Sequence, residues 1–208
     1  QWSSSAASDV YKRQVEAIHE ASMWVLEDVG ILFLNDDALD VLEAAGCTVD
    51  RETKRVRMDR NFVIEMAAKA PAAFTITPRN PDRKITVGGR QFNFGQVASA
   101  PNVMDLDRGR RVGNRADYQD LLRLSQAYNC IRFNSGYPVE PIDIHASIRH
   151  LDAHYDMLTL TDKVIHAYSL GPERIEDVME MARIAGGLTA EEFEARPHMF
   201  TNINSSSP

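Results

Sequence analysis

From Asn114 onward, helical and strand patterns alternate with a spacing of about 35 residues, the length that a strand–helix–strand crossover needs. Asn114 is placed to cap a helix running to about Tyr128, with Tyr118, Leu121, Leu122 and Leu124 on or near its buried side. A strand is expected at 130–135, closed by Gly136, and a helix at 144–160. A second strand is expected at 163–169, closed by Gly171. Pro172 suits the first turn of the next helix, where its missing N–H costs nothing. That helix runs to Ala185, before Gly186-Gly187; a short helix at 190–195 then leads to a strand at 199–204. Such alternation specifies parallel strands with right-handed crossovers, and so an α/β fold. An open doubly wound sheet and the start of an eight-stranded barrel both satisfy it.

The part before Asn114 reads differently. Val15, Ile18, Ser22, Val25, Leu26 and Val29 share one face of a helix that Gly30 stops. Asn35 caps a helix over 36–45, followed by Gly46; residues 55–58 form a short strand; Asp59 caps a helix over 60–70 that ends before Pro71. Strands are expected at 74–77, 84–87 and 90–94, with Gly88-Gly89 turning the last two into a hairpin, and a further strand at 103–106. The first fourteen residues are Ser/Ala-rich without amphipathic pattern and are expected to be a non-native linker. The last residues, HMFTNINSSSP, read as a strand stopped in mid-element, so the chain is expected to be a fragment with an open sheet edge at 199–204.

Composition narrows the function classes. The formal net charge is -7 with no basic run, which argues against a nucleic-acid partner. Purely apolar runs are only a few residues long, so no membrane span is expected. Cys47 and Cys130 fit neither a metal spacing nor a disulfide framework; both are expected to fill core, in a chain suited to the reducing cytoplasm.

The candidate site lies at the carboxyl ends of the three expected strands. These close as Phe133-Asn134-Ser135-Gly136-Tyr137, as His166-Ala167-Tyr168-Ser169 and as Thr201-Asn202-Ile203-Asn204. Ligands of barrels and open α/β sheets sit at that end. Period-2 alternation puts His166 with Tyr168, and Asn202 with Asn204. Asn and Ser at such positions also serve simply to bond loop backbone. His145, His150 and His154 fall on one expected helix, and the spacing of the last two could face one metal; without an acidic ligand pattern they read better as a helix surface, one that can pack a neighbour. No phosphate loop, no dinucleotide fingerprint and no nucleophile elbow is present, and no catalytic residue is assigned.

Four stretches carry a resemblance: VEAIHEASMWVLEDVGILFLNDDALDVLEAAG, ITVGGRQFNFGQVASAPNVMDLDRGRR, RHLDAHYDMLTLTDKVIHAYSLG and FTNINSSSP. Over nearly all of 15–208 the chain resembles the N-terminal part of the trimethylamine methyltransferase family, and within it the non-pyrrolysine branch that includes glycine betaine methyltransferases. The resemblance implies a partial (β/α)8 TIM barrel, of which this chain holds the first three β/α units. The expected organisation is therefore 1–14 linker, 15–112 N-terminal helical and β-hairpin region, and 113–208 truncated barrel start. It implies transfer of a methyl group from a methylated amine or betaine to a Co(I) corrinoid carried by a partner protein, with no cofactor bound directly. A non-catalytic binding domain for small quaternary-amine zwitterions is the alternative. Oligomeric state is left open. A quaternary ammonium is held by aromatic faces and carboxylates. Tyr137, Tyr168 and Phe94 are then the aromatic candidates; His166, Asn202, Asn204 and Asn134 are the polar ones.

Overall fold

A computed structural model describes residues 4–168 and 170–203, with side chains from residue 10 onward. The chain divides into two compact units, Gln1–Pro71 and Ala72–Pro208. The β-strands expected to belong with the N-terminal helices therefore fall in the second unit.

The first unit begins with helix α1 (Ser4–Trp24), which runs through most of the stretch read as a linker and ends in a π-helical turn, Val25–Val29. Strand β1 (Ile31–Leu32), helix α2 (Asp36–Ala44), strand β2 (Thr48–Asp50), strand β3 (Arg55–Arg57) and helix α3 (Arg60–Ala68) follow. The side chains of Asn35 and Asp59 cap α2 and α3 as expected, accepting from the Ala38 and the Asn61 and Phe62 amides. The three strands form an antiparallel sheet in the order β1-β3-β2. Leu39, Cys47 and Val56 are its core, so Cys47 fills space as the sequence suggests.

The second unit opens with strands β4 (Ala73–Ile76), β5 (Ile85–Gly88) and β6 (Phe94–Gly95), then β7 (Asn102–Asp105) and β8 (Gly109–Val112). Helix α4 (Arg115–Ala127), capped by Asn114, leads to strand β9 (Ile131–Asn134). Helix α5 (Arg149–Leu160), strand β10 (Val164–Tyr168), helix α6 (Pro172–Gly186), helix α7 (Ala190–Glu194) and strand β11 (Phe200–Asn202) complete it.

The expected hairpin between 84–87 and 90–94 does not form. Strand β5 pairs with β4 instead, from Ala73↔Gly88 to Ile76↔Ile85. Gly88 (φ 105) lies so close to the Ala72 carbonyl that a Cβ would sit 2.2 Å from its oxygen. The chain then leaves this pair, and β6 joins β9 in a parallel sheet of order β11-β10-β9-β6. Among the described residues this sheet has four parallel strands rather than three. Phe94 was legible as the end of a strand over 90–94 but not as part of a parallel strand, because the crossover to β9 contains the β7–β8 hairpin as well as α4. Of the two sheet edges, one is β11, at the position expected.

The parallel sheet is covered on both faces, which is why Val164–Tyr168 is buried along nearly its whole length. Ile165 and Ala167 pack with Tyr118, Leu122, Met157 and Val178 from the helices. On the other face Val164, Phe133 and Phe200 pack against Ile76 and Ile85 of the β4–β5 pair. Cys130, expected in the core, is exposed; it precedes β9 in a turn, outside the reach of either layer. Among the described residues no helix is long and apolar enough to cross a membrane.

Candidate functional site

The parallel registers Phe133↔Val164 and His166↔Phe200 bring the carboxyl ends of β9, β10 and β11 to one edge of the sheet. The segment after β6 runs along that edge. Ser99 N–H donates to the Tyr137 carbonyl (2.7 Å), Glu140 N–H to the Ala100 carbonyl (2.9 Å), and Gln96 Nε2 to the Gly136 carbonyl (3.1 Å). The Ser135 hydroxyl donates in return to the Gln96 carbonyl. Gln96 and Ser99 are site residues that sequence reasoning missed. The available signal was FGQVAS, a polar tip after a short β-prone pair, hidden by the hairpin reading of 90–94.

Tyr168 stands at the centre of this edge. Its hydroxyl lies 2.7 Å from Ser99 Oγ and accepts from the Tyr137 N–H at 3.0 Å. Its ring meets Tyr137 edge-on at 4.7 Å and His166 at 5.2 Å. Tyr137 is only 5% exposed and also contacts Tyr118 and His154, each at 5.8 Å. Burial, with Glu140 nearby, pushes the Tyr137 phenol well above its ordinary range, so the ring stays neutral. His166 lies 4.9 Å from the Phe200 ring. Its Nε2 accepts from the Asn202 N–H at 3.3 Å, which puts the proton of the neutral ring on Nδ1. Burial and the neighbouring His154 hold His166 below the usual imidazole range, against an opposing pull from the Ser135 backbone.

A cleft of about 240 Å³ opens beside these rings, lined among others by Ser99, Tyr137, Glu140, Arg149, Tyr168 and Arg174. Glu140 and Arg149 face each other at 3.6 Å. The Arg149 guanidinium is fixed by two further hydrogen bonds to the Ile144 carbonyl, at 3.2 and 3.0 Å. Burial raises the Glu140 carboxyl, and Arg149 only partly offsets this. Arg174, in the first turn of α6, forms no ion pair among the described residues. The α6 N-terminus has no side-chain cap; it starts at Gly171 (φ 106) and Pro172.

The residues named from sequence therefore separate. Tyr137 and Tyr168 line the cleft, and His166 touches Tyr168. Asn202 faces the β4–β5 side, where with Phe133 and Phe200 it lines a second cavity of about 450 Å³. Asn134 does not join them. Its register partner is Ile165, so it points into the helical layer, where it accepts from Ser125 Oγ (3.0 Å) and donates to Thr161 Oγ1 (2.8 Å). Phe94 is 63% exposed and makes no ring contact among the described residues. Asn204 lies outside the described residues. His145 precedes α5, whereas His150 and His154 are buried rather than on a helix surface. His150 Nε2 pairs with Asp177 at 2.8 Å; His154 lies between the His150 and His166 carbonyls, at 2.7 and 3.2 Å. Among the described residues no group of three or more His, Cys, Asp or Glu side chains is placed to hold a metal ion.

The pattern of the trimethylamine methyltransferases (MTTB) matches residues 5–208. The chain belongs to the trimethylamine methyltransferase family. It is 35% identical over 195 residues to a glycine betaine methyltransferase of Desulfitobacterium hafniense (strain Y51), covering 94% of this chain and 40% of that protein. It is 27% identical over 197 residues to the trimethylamine methyltransferase MttB of D. hafniense (strain DSM 10664 / DCB-2), covering 94% of this chain and 39% of that protein. Over 138 residues it is 30% identical to a proline betaine:corrinoid methyltransferase of Eubacterium limosum, covering 64% of this chain and 27% of that one. The chain thus spans about 40% of the length of the first of these methyltransferases. The family match begins within the stretch read as a linker.

Proposed function

We propose that this chain forms part of a cytoplasmic enzyme that moves a methyl group from a methylated amine or betaine to a corrinoid carried by a separate protein. The parallel sheet is then the opening part of a (β/α)8 barrel, and its carboxyl edge is the donor site. The observation that carries the reading is the Tyr137–Tyr168 pair, at the carboxyl edge of a parallel sheet and beside Glu140, in a member of this family. A quaternary ammonium has no N–H to donate, so aromatic faces hold it at about 0.5–2 kcal/mol per contact, with a carboxylate adding charge. Tyr168 is fixed for this by its bonds to Ser99 and the Tyr137 amide. His166 meets its ring edge-on, and Asn202 holds His166 in one tautomer.

The cleft suits a molecule of betaine size and is far too small for a corrinoid macrocycle, so the acceptor approaches from outside on its own protein. The Co(I) corrinoid of that partner supplies the nucleophile that takes the methyl group. From a quaternary donor the amine keeps the electron pair of the broken C–N bond and leaves neutral, so no side chain here needs to hold or move a proton; a tertiary methylamine balances in the same way only as its protonated ammonium, whose N–H stays on the departing amine. The residues contribute position and exclusion of water.

The test is methyl transfer by the protein as its gene encodes it, with cob(I)alamin or a corrinoid protein and a panel of methylamines and betaines. Demethylation of at least one donor, lost in Tyr168→Ala, is expected. Failure to demethylate any of them removes the enzymatic reading and leaves a binding protein.

A further inference from the structure

His154 is a buried titratable side chain that methyl transfer leaves without a task. Its ring lies between two backbone carbonyls, with Nδ1 2.7 Å from that of His150 and Nε2 3.2 Å from that of His166. A carbonyl oxygen only accepts, and a neutral imidazole has one N–H. The neutral ring therefore bonds one of these carbonyls and turns a lone pair toward the other. Only the imidazolium, with two N–H groups, satisfies both. The neighbouring histidines differ. A proton on His166 Nε2 would break the bond it accepts from the Asn202 N–H. A proton on His150 is balanced by Asp177 at 2.8 Å. At His154 a proton completes a hydrogen bond and adds a charge that no carboxylate pairs with among the described residues. The titratable groups around the ring are His150 on its own helix, His166 on β10 and Tyr137 in the loop after β9. Tyr137 in turn meets Tyr118 of α4 and lines the rim cleft with Glu140, Arg149 and Arg174. Burial holds the His154 imidazole below its ordinary value of 6.5; the two carbonyls pull against this, and His150 adds a smaller downward push.

We infer that a proton on His154 and a methylated ammonium against Tyr137 oppose one another, so that His154 makes donor binding at the rim depend on pH. The inference rests on the reading of the rim as a donor site, but it concerns binding and can be tested apart from catalysis. A cation held on the Tyr137 ring lies within about 6 Å of its centre, and the His154 ring lies 5.8 Å from that centre. The two charges are then no more than about 12 Å apart, and at an effective dielectric constant of about 20 their repulsion is worth about tenfold in affinity. Linkage makes the effect reciprocal: a bound cation drives the His154 proton off and moves its titration midpoint down by about one pH unit.

The experiment titrates the whole protein with tetramethylammonium, which has no titratable group, by calorimetry between about pH 5 and pH 8 in two buffers of different ionisation enthalpy. The wild-type protein is expected to lose about tenfold in affinity as the pH falls, and to release up to about one proton per cation bound on that limb. His154→Gln should hold its affinity within about twofold over the same range. Glu140→Gln removes the cleft carboxylate, the other group whose protonation would weaken a cation; it should lower affinity throughout and keep the slope. His166→Gln should keep the slope as well. Wild-type affinity independent of pH, a slope kept in His154→Gln, or a slope lost in Glu140→Gln or His166→Gln overturns the inference. If His154→Gln does not fold, NMR of histidine-labelled wild-type protein decides: the His154 midpoint must fall by about one pH unit on saturation with tetramethylammonium, and an unchanged midpoint overturns the inference. Binding that ignores pH removes the role of His154 and keeps the donor site. A protein that binds no tetramethylammonium at any pH removes the donor site, and this inference with it.

Discussion

Gly136→Ala is the substitution that most directly probes how the rim is built. Gly136 has φ 134, a conformation that L side chains rarely adopt. A Cβ placed there would lie 2.2 Å from the Tyr168 hydroxyl, 2.6 Å from its Cζ and 3.1 Å from its Cε2. The obstacle is the outer end of a side chain, so Tyr168 would swing aside before the backbone moved. That displacement breaks the bonds to Ser99 and the Tyr137 amide, at about 0.5–1.5 kcal/mol each. Backbone strain adds about 1–3 kcal/mol. The sum is about 2–6 kcal/mol, a large part of the stability of an ordinary domain. Urea unfolding of the wild-type and variant proteins measures it. The steric part is isolated by the double variant Gly136→Ala with Tyr168→Ala, which removes the clash but keeps the strain. The two substitutions should therefore cost less together than the sum of each alone, by about 1–3 kcal/mol. Strict additivity, or a Gly136→Ala protein as stable as wild type with unchanged affinity for donor, would refute the idea that Tyr168 is locked over Gly136.

Asn134→Ala should lower stability by about 2–3 kcal/mol, through two lost hydrogen bonds and a small cavity, while donor affinity stays unchanged; thermal unfolding and ligand titration check the two halves. Arg115→Ala should cost about 2–4 kcal/mol, because Arg115 holds the buried Asp156 carboxylate with two bonds of 2.8 and 3.0 Å, and the added change Asp156→Leu should recover part of this. His154 and His166 are held by burial below the ordinary imidazole value of 6.5, so the folded form binds fewer protons than the unfolded one. Their contribution is complete above 6.5 and declines as pH falls through that value toward the depressed ones. The melting temperature should thus drop between pH 7.5 and pH 5, with a shallower slope in His166→Gln. A slope that is the same in both proteins would remove His166 from the account.

The helix starts were legible because caps are local. Asn35, Asp59 and Asn114 bond amides two or three residues ahead, and Pro172 loses nothing in a first turn. The strands of the α/β part were legible for a related reason, since a strand covered on both faces shows as an apolar run wherever it lies. Strand partners were not. Lys84–Val87 looked ready for a local hairpin, yet β5 pairs backward with β4, because Ile76 and Ile85 together cover the face formed by Phe133, Val164 and Phe200. Asn134 shows the same limit. Its position at a strand end suggested the rim, but the register that pairs it with Ile165 turns it toward Ser125 and Thr161.

What the residues determined unaided was the alternation of elements, the helix caps, the polar closure of each parallel strand and the family these belong to. Each of these rests on groups a few positions apart, or on patterns that survive in the chain itself. What the tertiary structure decided was which of those polar tips share a space. Ser99 meets Tyr168, and Glu140, Arg149 and Arg174 line one cleft, across separations that no periodicity encodes. The reason is physical: a side chain's neighbours depend on strand register and on which loop crosses it, and those follow from the best burial of both sheet faces at once.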